Sequence, residues 1–397
     1  MRVALVHDWL TGYRGGERVL QHLAQRFPEA DLYTLIHDRG SVPAEIESRR
    51  IFTSPLDRVP GRAHHYRKLL PLFPWAIRQF DLSGYDLVLS TSHAVAKSVR
   101  IPKGVTHLDY CFTPMRYVWD HVDTYLGHGV RRRLAGPMIR RLRRFDVETS
   151  GEESVTRFVA ISTDVADRIH RHYGRIARVV PPPVDVDWIE VASAPAEDYY
   201  LLVGGFVPYK REDLAIDAFR RLNRRLVIAG DGPMRARLER GAPANVEFTG
   251  RVDEATLAEL YRGCRALLHP QHEDFGLVAV EAQAAGRPVI GFAAGGILDT
   301  VRPLRSDAPW TPASPPSSDS NAPSDPGATG ILFHEQTPLA LCEAIEELEK
   351  NEQRFEPHAL RRWAKRFSPA RFDEALDREI EAAFAANAAL GALGSGR

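Results

Sequence analysis

Short apolar runs alternate with stretches of helical periodicity along almost the whole chain. In the first half, the apolar runs predict strands and the amphipathic stretches between them predict helices. The predicted strands are Arg2–His7, Asp31–Ile36, Tyr85–Ser90, Val105–Cys111 and Arg157–Ile161, and the predicted helices are Gly16–Phe27, Arg131–Phe145 and Thr163–Tyr173. Strands that alternate with helices in this way are typical of a parallel sheet with helices on both faces.

The second half repeats this pattern after the proline run Pro181–Pro183. Its predicted strands are Tyr199–Val203, Arg225–Ala229, Val246–Phe248, Arg265–His269, Pro288–Gly291 and Gly330–Phe333. Its predicted helices are Lys210–Leu222, Glu254–Tyr261, Gly276–Ala285, Pro338–Lys350, Pro357–Arg366 and Pro369–Asn387. Because each proline restricts the residue before it, the proline run cannot be helical and is the predicted hinge. We therefore predict an α/β fold of two Rossmann-like, doubly wound domains that face each other across a cleft.

The chain has 397 residues, which suits two domains better than one. The predicted limits are 1–183 for the first domain, 184–368 for the second and 369–397 for a C-terminal helical tail. Within the second domain, the segment 302–329 is rich in Pro, Ser and Asp. It has too few apolar residues to offset the entropy of ordering, so it predicts a flexible insertion.

Composition excludes several classes of function. Lys+Arg and Asp+Glu both number 52, so the formal net charge is +0 and no global field attracts nucleic acid. The three cysteines, Cys111, Cys264 and Cys342, are far apart and odd in number, which suggests neither a zinc cluster nor a disulfide framework. The apolar runs at both ends are too short for a signal peptide or a membrane span. We therefore expect a cytoplasmic protein without nucleic-acid partners.

The strongest candidate for chemistry is the string His272–Glu281. A predicted strand ends near Pro270 and a helix starts at about Gly276, so three backbone N–H groups are expected at a helix N-terminus, those of Phe275, Gly276 and Leu277. Such donors suit phosphate or sugar oxygens. Glu281 lies about one and a half turns further on, where a carboxylate can accept two ribose hydroxyls. Glu273 lies in the loop and is expected to face the ligand.

Two further segments follow predicted strands and suit anions. Gly15 and Gly16 open the first helix and can present bare backbone to a diphosphate. Lys210 and Arg211 lie at the first strand-to-helix turn of the second domain, where a cation would neutralise a leaving diphosphate. Each segment alone is equally compatible with an ordinary helix start.

Taken together, these segments resemble glycosyltransferase family 4. The string His272–Glu281 resembles the E-x7-E motif of these retaining enzymes, Tyr13–Glu17 their Gly-Gly donor loop, Val207–Arg211 their basic phosphate segment and Ala229–Pro233 their base-proximal turn. The resemblance implies the GT-B fold, with C-terminal helices that cross back to the first domain. It also implies that Glu273 and Lys210 act in catalysis, and that no cofactor or metal is needed beyond the nucleotide-sugar co-substrate.

The sequence departs from the family pattern at two places. Gly204–Phe206 stands where relatives often carry an arginine that assists the lysine, and Phe112 stands where many have a histidine before Thr-Pro. Phenylalanine can neither transfer a proton nor donate a hydrogen bond. His93, at the end of another predicted strand, is the candidate substitute on the acceptor side, with an ordinary strand-end histidine as the alternative.

The stretch Arg131–Arg144 carries seven arginines, and its apolar residues recur at helical spacing. This pattern predicts a basic amphipathic helix, which either lies peripherally on the anionic inner face of a membrane or packs as a solvated face of the first domain.

The resemblance implies transfer of a hexose, with mannose as the leading sugar, from a nucleotide-diphosphate sugar to a glycan or lipid-linked acceptor. Relatives with the Thr113–Tyr117 segment typically act in surface polysaccharide or lipopolysaccharide assembly. The alternatives are a sugar-nucleotide epimerase, which would epimerise the donor without acceptor, and an inactive GT-B glycan-binding protein, which would hydrolyse no donor.

Overall fold

The chain forms two compact units, Met1–Pro183 together with Phe372–Arg397, and Val184–Arg371. The computed structural model describes residues 1–120, 122, 130–304 and 327–394. The predicted flexible insertion falls mainly on residues 305–326, which lie outside the described residues.

The first unit contains a parallel sheet with the strand order β3-β2-β1-β4-β5-β6-β7. Its strands are β1 Val3–His7, β2 Asp31–Thr34, β3 Ile51–Thr53, β4 Leu87–Ser92, β5 Thr106–Cys111, β6 Arg157–Ala160 and β7 Ala177–Val179. Its α-helices are Gly15–Arg26, Ala44–Glu47, Arg62–His65, Phe73–Ala76, Val130–Glu148 and Thr163–Tyr173, and most of Pro369–Gly394 also belongs to this unit. The five strands and three helices predicted for this half are confirmed within a few residues.

The second unit contains a parallel sheet with the strand order β10-β9-β8-β11-β12-β13. Its strands are β8 Tyr200–Gly205, β9 Leu226–Asp231, β10 Val246–Gly250, β11 Leu267–His269, β12 Val289–Phe292 and β13 Gly330–Phe333. Its α-helices are Glu212–Phe219, Arg235–Gly241, Glu254–Gly263, Leu277–Ala284, Ile297–Thr300, Pro338–Lys350 and Pro357–Ala364. The two parallel, helix-flanked sheets confirm the prediction of two Rossmann-like domains.

The sequence pattern missed two strands and several short helices. β3 and β7 have three residues each, lie at the edges of the first sheet and are only partly buried. A three-residue, half-exposed run carries too little periodicity to be recognised.

Each sheet has a point at which the strand order reverses, between β1 and β4 in the first and between β8 and β11 in the second. At such a point the loops after the two neighbouring strands leave the sheet in opposite directions and open a crevice at its carboxyl edge. The loops after β1, β4, β8 and β11 contain most of the candidate residues.

Candidate functional site

Lys210 and Glu273 come together at the switch point of the second sheet. Lys210 ends the 3₁₀ turn Pro208–Lys210 that follows β8, and Glu273 lies in the loop between β11 and the helix that begins at Leu277. The Lys210 ammonium forms an ion pair with Glu273 Oε1. Both side chains are mostly shielded, with 17% and 20% of their surface exposed. The fold thus joins two residues that the sequence separates by 63 positions.

The second carboxylate oxygen of Glu273 also has protein partners. His269 Nε2 lies 3.1 Å from Glu273 Oε2, and Gln271 Nε2 donates to the same oxygen at 3.4 Å. Burial lowers the pKa of His269 to about 3, and the nearby Lys210 charge acts in the same direction. A neutral imidazole that faces a carboxylate through Nε2 must carry its proton there, so Nδ1 is an acceptor. The carboxylate of Glu273 is therefore held by three donors.

Two buried polar atoms beside Glu273 lack hydrogen-bond partners among the described residues. They are His269 Nδ1 and Gln271 Oε1, on side chains that are almost fully buried. Native structures leave few buried polar atoms unpaired, so these two atoms are candidates to bind a polar ligand. The sequence reading missed both residues, because nothing in their local pattern separates them from the end of a buried strand.

Glycines fix the backbone of the Glu273 loop. Gly276 has φ +95°, and a Cβ there would lie 3.3 Å from His269 Nε2, so this position favours glycine on both counts. On the other side, a Cβ at Gly295 would come within 2.3 Å of the Glu273 carbonyl oxygen. That carbonyl accepts a hydrogen bond from Gly296 N–H at 2.8 Å. The loop between β12 and Ile297 therefore supports the Glu273 loop from behind, which the sequence reading did not foresee.

Glu281 lies in the helix Leu277–Ala284 and is 4% exposed. Its Oε2 accepts a hydrogen bond from the Tyr261 hydroxyl at 2.8 Å. Glu281 is therefore a buried side chain and not a solvated surface residue. Tyr261 is itself fully buried, and it is a third residue that the sequence pattern did not reveal.

The predicted amide donors lie at the start of the same helix. Gly276 is its N-cap, and the Ala279 N–H is bonded to the Gly276 carbonyl at 3.0 Å. The amides of Phe275, Gly276 and Leu277 precede this first helical bond, as predicted for a helix N-terminus. The Phe275 side chain is buried and packs edge-on against Phe367.

Arg211 contacts Gln336 and Asp213. It adopts the left-handed conformation with φ 58°, and its guanidinium contacts Gln336 Oε1 at 3.3 Å and Asp213 Oδ1 at 3.2 Å. Gln336 in turn donates to the Pro270 carbonyl at 2.8 Å. Arg211 thus ties the turn after β8 to the loop after β11, while Lys210 meets the acid.

In the first unit, Gly15 and Gly16 begin the helix Gly15–Arg26, as predicted. A Cβ at Gly16 would lie 3.3 Å from the Phe112 ring. Phe112 is 8% exposed, and its ring centroid is 6.4 Å from that of His93. The structure therefore brings Gly16, Phe112 and His93 into one cluster at the carboxyl edge of β1, β4 and β5.

His93 is firmly held within this cluster. Its Nδ1 lies 3.1 Å from Asp8 Oδ2, and burial lowers its pKa to about 4. The Asp8 carboxylate accepts four further hydrogen bonds from the backbone amides of residues 93–96, at 2.7–2.9 Å. His93 is therefore a neutral imidazole on a fixed turn.

His7 and Glu17 belong to the same edge and were also missed. His7 Nδ1 lies 2.7 Å from Thr91 Oγ1, and its Nε2 lies 3.8 Å from Glu17 Oε1. Burial alone would raise the pKa of Glu17, but the adjacent His7 imidazole holds it below its ordinary value. A buried, ionised glutamate therefore lies next to Gly16, where a ligand hydroxyl could donate to it.

No group of three or more metal-ligating side chains occurs within the described ranges. Metal independence stays a prediction. In the second unit, the sheet edge offers a cation paired with an acid, a helix N-terminus and the buried carboxylate of Glu281. In the first unit, it offers the neutral imidazole of His93 beside the acid Asp8.

Two family models match consecutive parts of the chain. The model for Glycosyltransferase Family 4 matches residues 13–188, and the model for Glycosyl transferases group 1 matches residues 189–314. The candidate residues that the sequence predicted all fall inside these matches, whereas His7 and Asp8 precede them.

The chain aligns with curated relatives over less than half of their length. A D-inositol 3-phosphate glycosyltransferase of Geodermatophilus obscurus is 34% identical over 38% of this chain and 42% of its own length. A GDP-mannose-dependent alpha-mannosyltransferase of Mycolicibacterium smegmatis is 38% identical over 35% of this chain and 38% of its own. The aligned region thus spans about two fifths of these relatives.

A solved structure matches nearly the whole chain. The Anabaena protein HepE in complex with UDP superposes with a TM-score of 0.65 over 96% of this chain and 100% of its own, at 14% identity. At this identity the likeness concerns the fold. Since the family models follow one another from residue 13 to residue 314 and the fold agrees over almost the full length, the chain belongs to the group 1 glycosyl transferases of glycosyltransferase family 4, with the GT-B fold.

Proposed function

We propose that the chain is a glycosyltransferase that moves a hexose from a nucleotide-diphosphate sugar to a glycan or lipid-linked acceptor with retention of configuration. The observation that carries the proposal is the Lys210–Glu273 ion pair at the switch point of the second sheet. One cation and one acid at this edge suit a ligand that presents both a diphosphate and sugar hydroxyls.

Each part of a sugar nucleotide has a candidate partner in the second unit. Glu281 would accept hydrogen bonds from the ribose hydroxyls. The backbone amides of Phe275–Leu277 and the Lys210 ammonium would bind the diphosphate. Glu273 would accept hydrogen bonds from hydroxyl groups of the transferred hexose. As the sugar–phosphate bond breaks, negative charge grows on the diphosphate, and Lys210 with the helix N-terminus would stabilise it without a metal.

Mannose is the first candidate for the transferred sugar. Assembly of surface polysaccharide or lipopolysaccharide is the first candidate for the role of the enzyme. The mannosyl choice is supported by the relative named a GDP-mannose-dependent alpha-mannosyltransferase. UDP-sugars compete with it, because the HepE structure holds UDP. A binding screen of sugar nucleotides identifies both the base and the sugar of the donor.

Thermal shifts with sugar nucleotides test the proposal directly. A donor at 100 times its Kd raises the unfolding free energy by about 2.7 kcal/mol. For a unit of this size, that shifts Tm by roughly 5–10 °C. We expect such a shift with GDP-mannose, with UDP-glucose as the comparison and free mannose as the control. Absence of any shift and of donor hydrolysis would support an inactive protein, and donor epimerisation without acceptor an epimerase.

On the acceptor side, we propose that His93 serves where relatives carry a histidine at the Phe112 position. Its place beside Phe112 and its neutral state suit a hydrogen bond to the transferred sugar. The proposal predicts a role in hydrogen bonding and not in proton storage, because the pKa of His93 is lowered to about 4 by burial.

The basic helix Val130–Glu148 supports a peripheral membrane role. Its buried side includes Ile139 and Leu142, and its outer side exposes Arg133, Arg140, Arg141 and Arg144. Leu134 is 77% exposed between them. Arg131 and Arg132 have side chains outside the described set. None of the described helices is long and apolar enough to cross a membrane.

A neighbouring segment adds apolar groups to this surface. Leu72 and Trp75 are 48% and 51% exposed, and Arg78 lies over the ring of Phe145 in the basic helix at 5.7 Å. Exposed aromatic and basic side chains together are typical of helices that lie in a membrane interface.

Vesicle flotation tests this role. Phosphatidylcholine vesicles with phosphatidylglycerol should float the protein, and vesicles of phosphatidylcholine alone should not. Each arginine near an anionic surface contributes about 1 kcal/mol, so changing the four exposed arginines to Gln should release most of the bound protein. The charge-matched control changes four exposed arginines of the second unit, Arg237, Arg240, Arg251 and Arg354. Equal flotation of both variants would leave only packing as the role of the helix.

A further inference from the structure

An acid is buried at the start of the helix Glu212–Phe219, next to the proposed donor site. Glu212 is 2% exposed, and its Oε1 atom has no hydrogen-bond partner among the described residues. A buried, unpartnered carboxyl oxygen costs stability. The neighbouring residues Leu214, Ala215 and Ile216 fill the core, so an apolar residue at position 212 would suit packing better. The acid therefore needs a cause other than stability.

The cause is suggested by what lies around the carboxyl end of β8. A Cβ built on Gly204 would lie 3.9 Å from Lys210 Cδ and 4.0 Å from Glu212 Oε1. The two side chains therefore approach the same point above this strand end, while the Lys210 ammonium reaches Glu273. Lys210 therefore has two acids as neighbours, Glu273 and Glu212, and Glu212 Oε1 has no hydrogen-bond partner among the described residues.

We propose that Glu212 is a positioning residue that sets how much of the Lys210 charge is available to the donor diphosphate. The inference rests on the proposed function. An ionised Glu212 would attract Lys210 and repel the diphosphate, which weakens donor binding. A neutral Glu212 leaves Lys210 to the ligand, and its O–H can donate to a phosphate oxygen. Gly204 and Gly205 add no positive charge beside Lys210, so the acids next to Lys210 affect how strongly it attracts the diphosphate.

The protonation of Glu212 is poised to change near neutral pH. Burial raises the pKa of Glu212 to about 7. The other charged groups that act on it are Lys210, which lowers its pKa, and Asp213 on the same helix, which raises it. Glu273 faces Lys210 from the loop after β11, and Arg211 is turned toward Gln336 and Asp213. The last two residues of β8 are Gly204 and Gly205, which carry no charge.

The experiment measures the Kd of GDP-mannose and of UDP-glucose without acceptor as a function of pH. The diphosphate of a sugar nucleotide has no group that titrates near neutral pH, so the profile reports on the protein. If binding requires neutral Glu212, the affinity of the wild type should fall about tenfold between about pH 6 and about pH 8. Glu212→Gln cannot ionise, so its affinity should stay within about twofold of the wild-type value at about pH 6 throughout.

Two further variants separate this role from a structural one. Asp217→Asn removes an exposed acid of the same helix and should keep the wild-type profile. Glu212→Met has similar volume and no charge, and it should show the flat profile if Glu212→Gln fails to fold. A uniform loss of affinity at every pH in the neutral variants, or identical pH profiles of wild type and variants, would overturn the inference while the proposed function stands. If the wild type binds neither sugar nucleotide at any pH, both fall.

Discussion

Replacing Glu273 by Gln is expected to lower kcat/KM for transfer by about 10²- to 10³-fold, with the fold retained. The carboxylate accepts from Lys210, His269 and Gln271. An amide offers one acceptor oxygen in place of two and carries no charge. Lys210 then loses its ionic partner, and the hexose loses an acceptor for its hydroxyls. Steady-state rates with donor and acceptor, together with Tm, measure the two effects separately.

The matched control is Glu254→Gln, an exposed acid in the first turn of the helix Glu254–Gly263 of the same unit. It should leave both transfer and Tm close to the wild type. Near-normal transfer by Glu273→Gln would sink the catalytic role of Glu273, whereas a large fall in Tm would make its effect structural. Donor binding that survives while kcat falls would place Glu273 in the chemical step.

The architecture was predictable because both sheets are buried and parallel. Strands such as Val3–His7 and Leu226–Asp231 each begin with four buried apolar residues, so they read as compact apolar runs. The helix Thr163–Tyr173 could be predicted to the residue, because Ser162 caps its start and Gly174 ends it in the left-handed conformation. Three-residue edge strands have neither signal.

The candidate site was predictable only where its residues lie in short segments that follow predicted strands, as Lys210 and Glu273 do. Glu273 and Glu281 lie in one string, so the loop and helix N-terminus could be foreseen. Other partners that complete the site come from more distant segments, namely Tyr261 and the glycines at 295 and 296. Their contacts follow from the order of strands in the sheet and from close backbone approach, which no local pattern encodes. The ion pair between Lys210 and Glu273 is one such long-range contact.

Replacing Lys210 by Met is expected to cost about as much as the loss of Glu273, about 10²- to 10³-fold in kcat/KM. Methionine keeps the length of the stem but removes the charge that would stabilise the leaving diphosphate. Lys210 is the cation next to Glu273, and Arg211 is engaged with Gln336 and Asp213. The loss should therefore appear in kcat as well as in the Kd of the donor.

The double variant Lys210→Met with Glu273→Gln distinguishes a coupled pair from two independent residues. Because the two side chains form one ion pair, removing the second after the first should cost less than about tenfold more, whereas independent roles would multiply to about 10⁴- to 10⁶-fold. The control cycle uses Arg225→Met with Glu247→Gln, an exposed ion pair in the same unit at 2.7 Å. Exposed pairs contribute little, so that cycle should leave transfer within about twofold of the wild type. If the loss in kcat/KM of the double variant equals the product of the two single losses, the contact between Lys210 and Glu273 plays no part in catalysis. The two residues would then act on the donor independently.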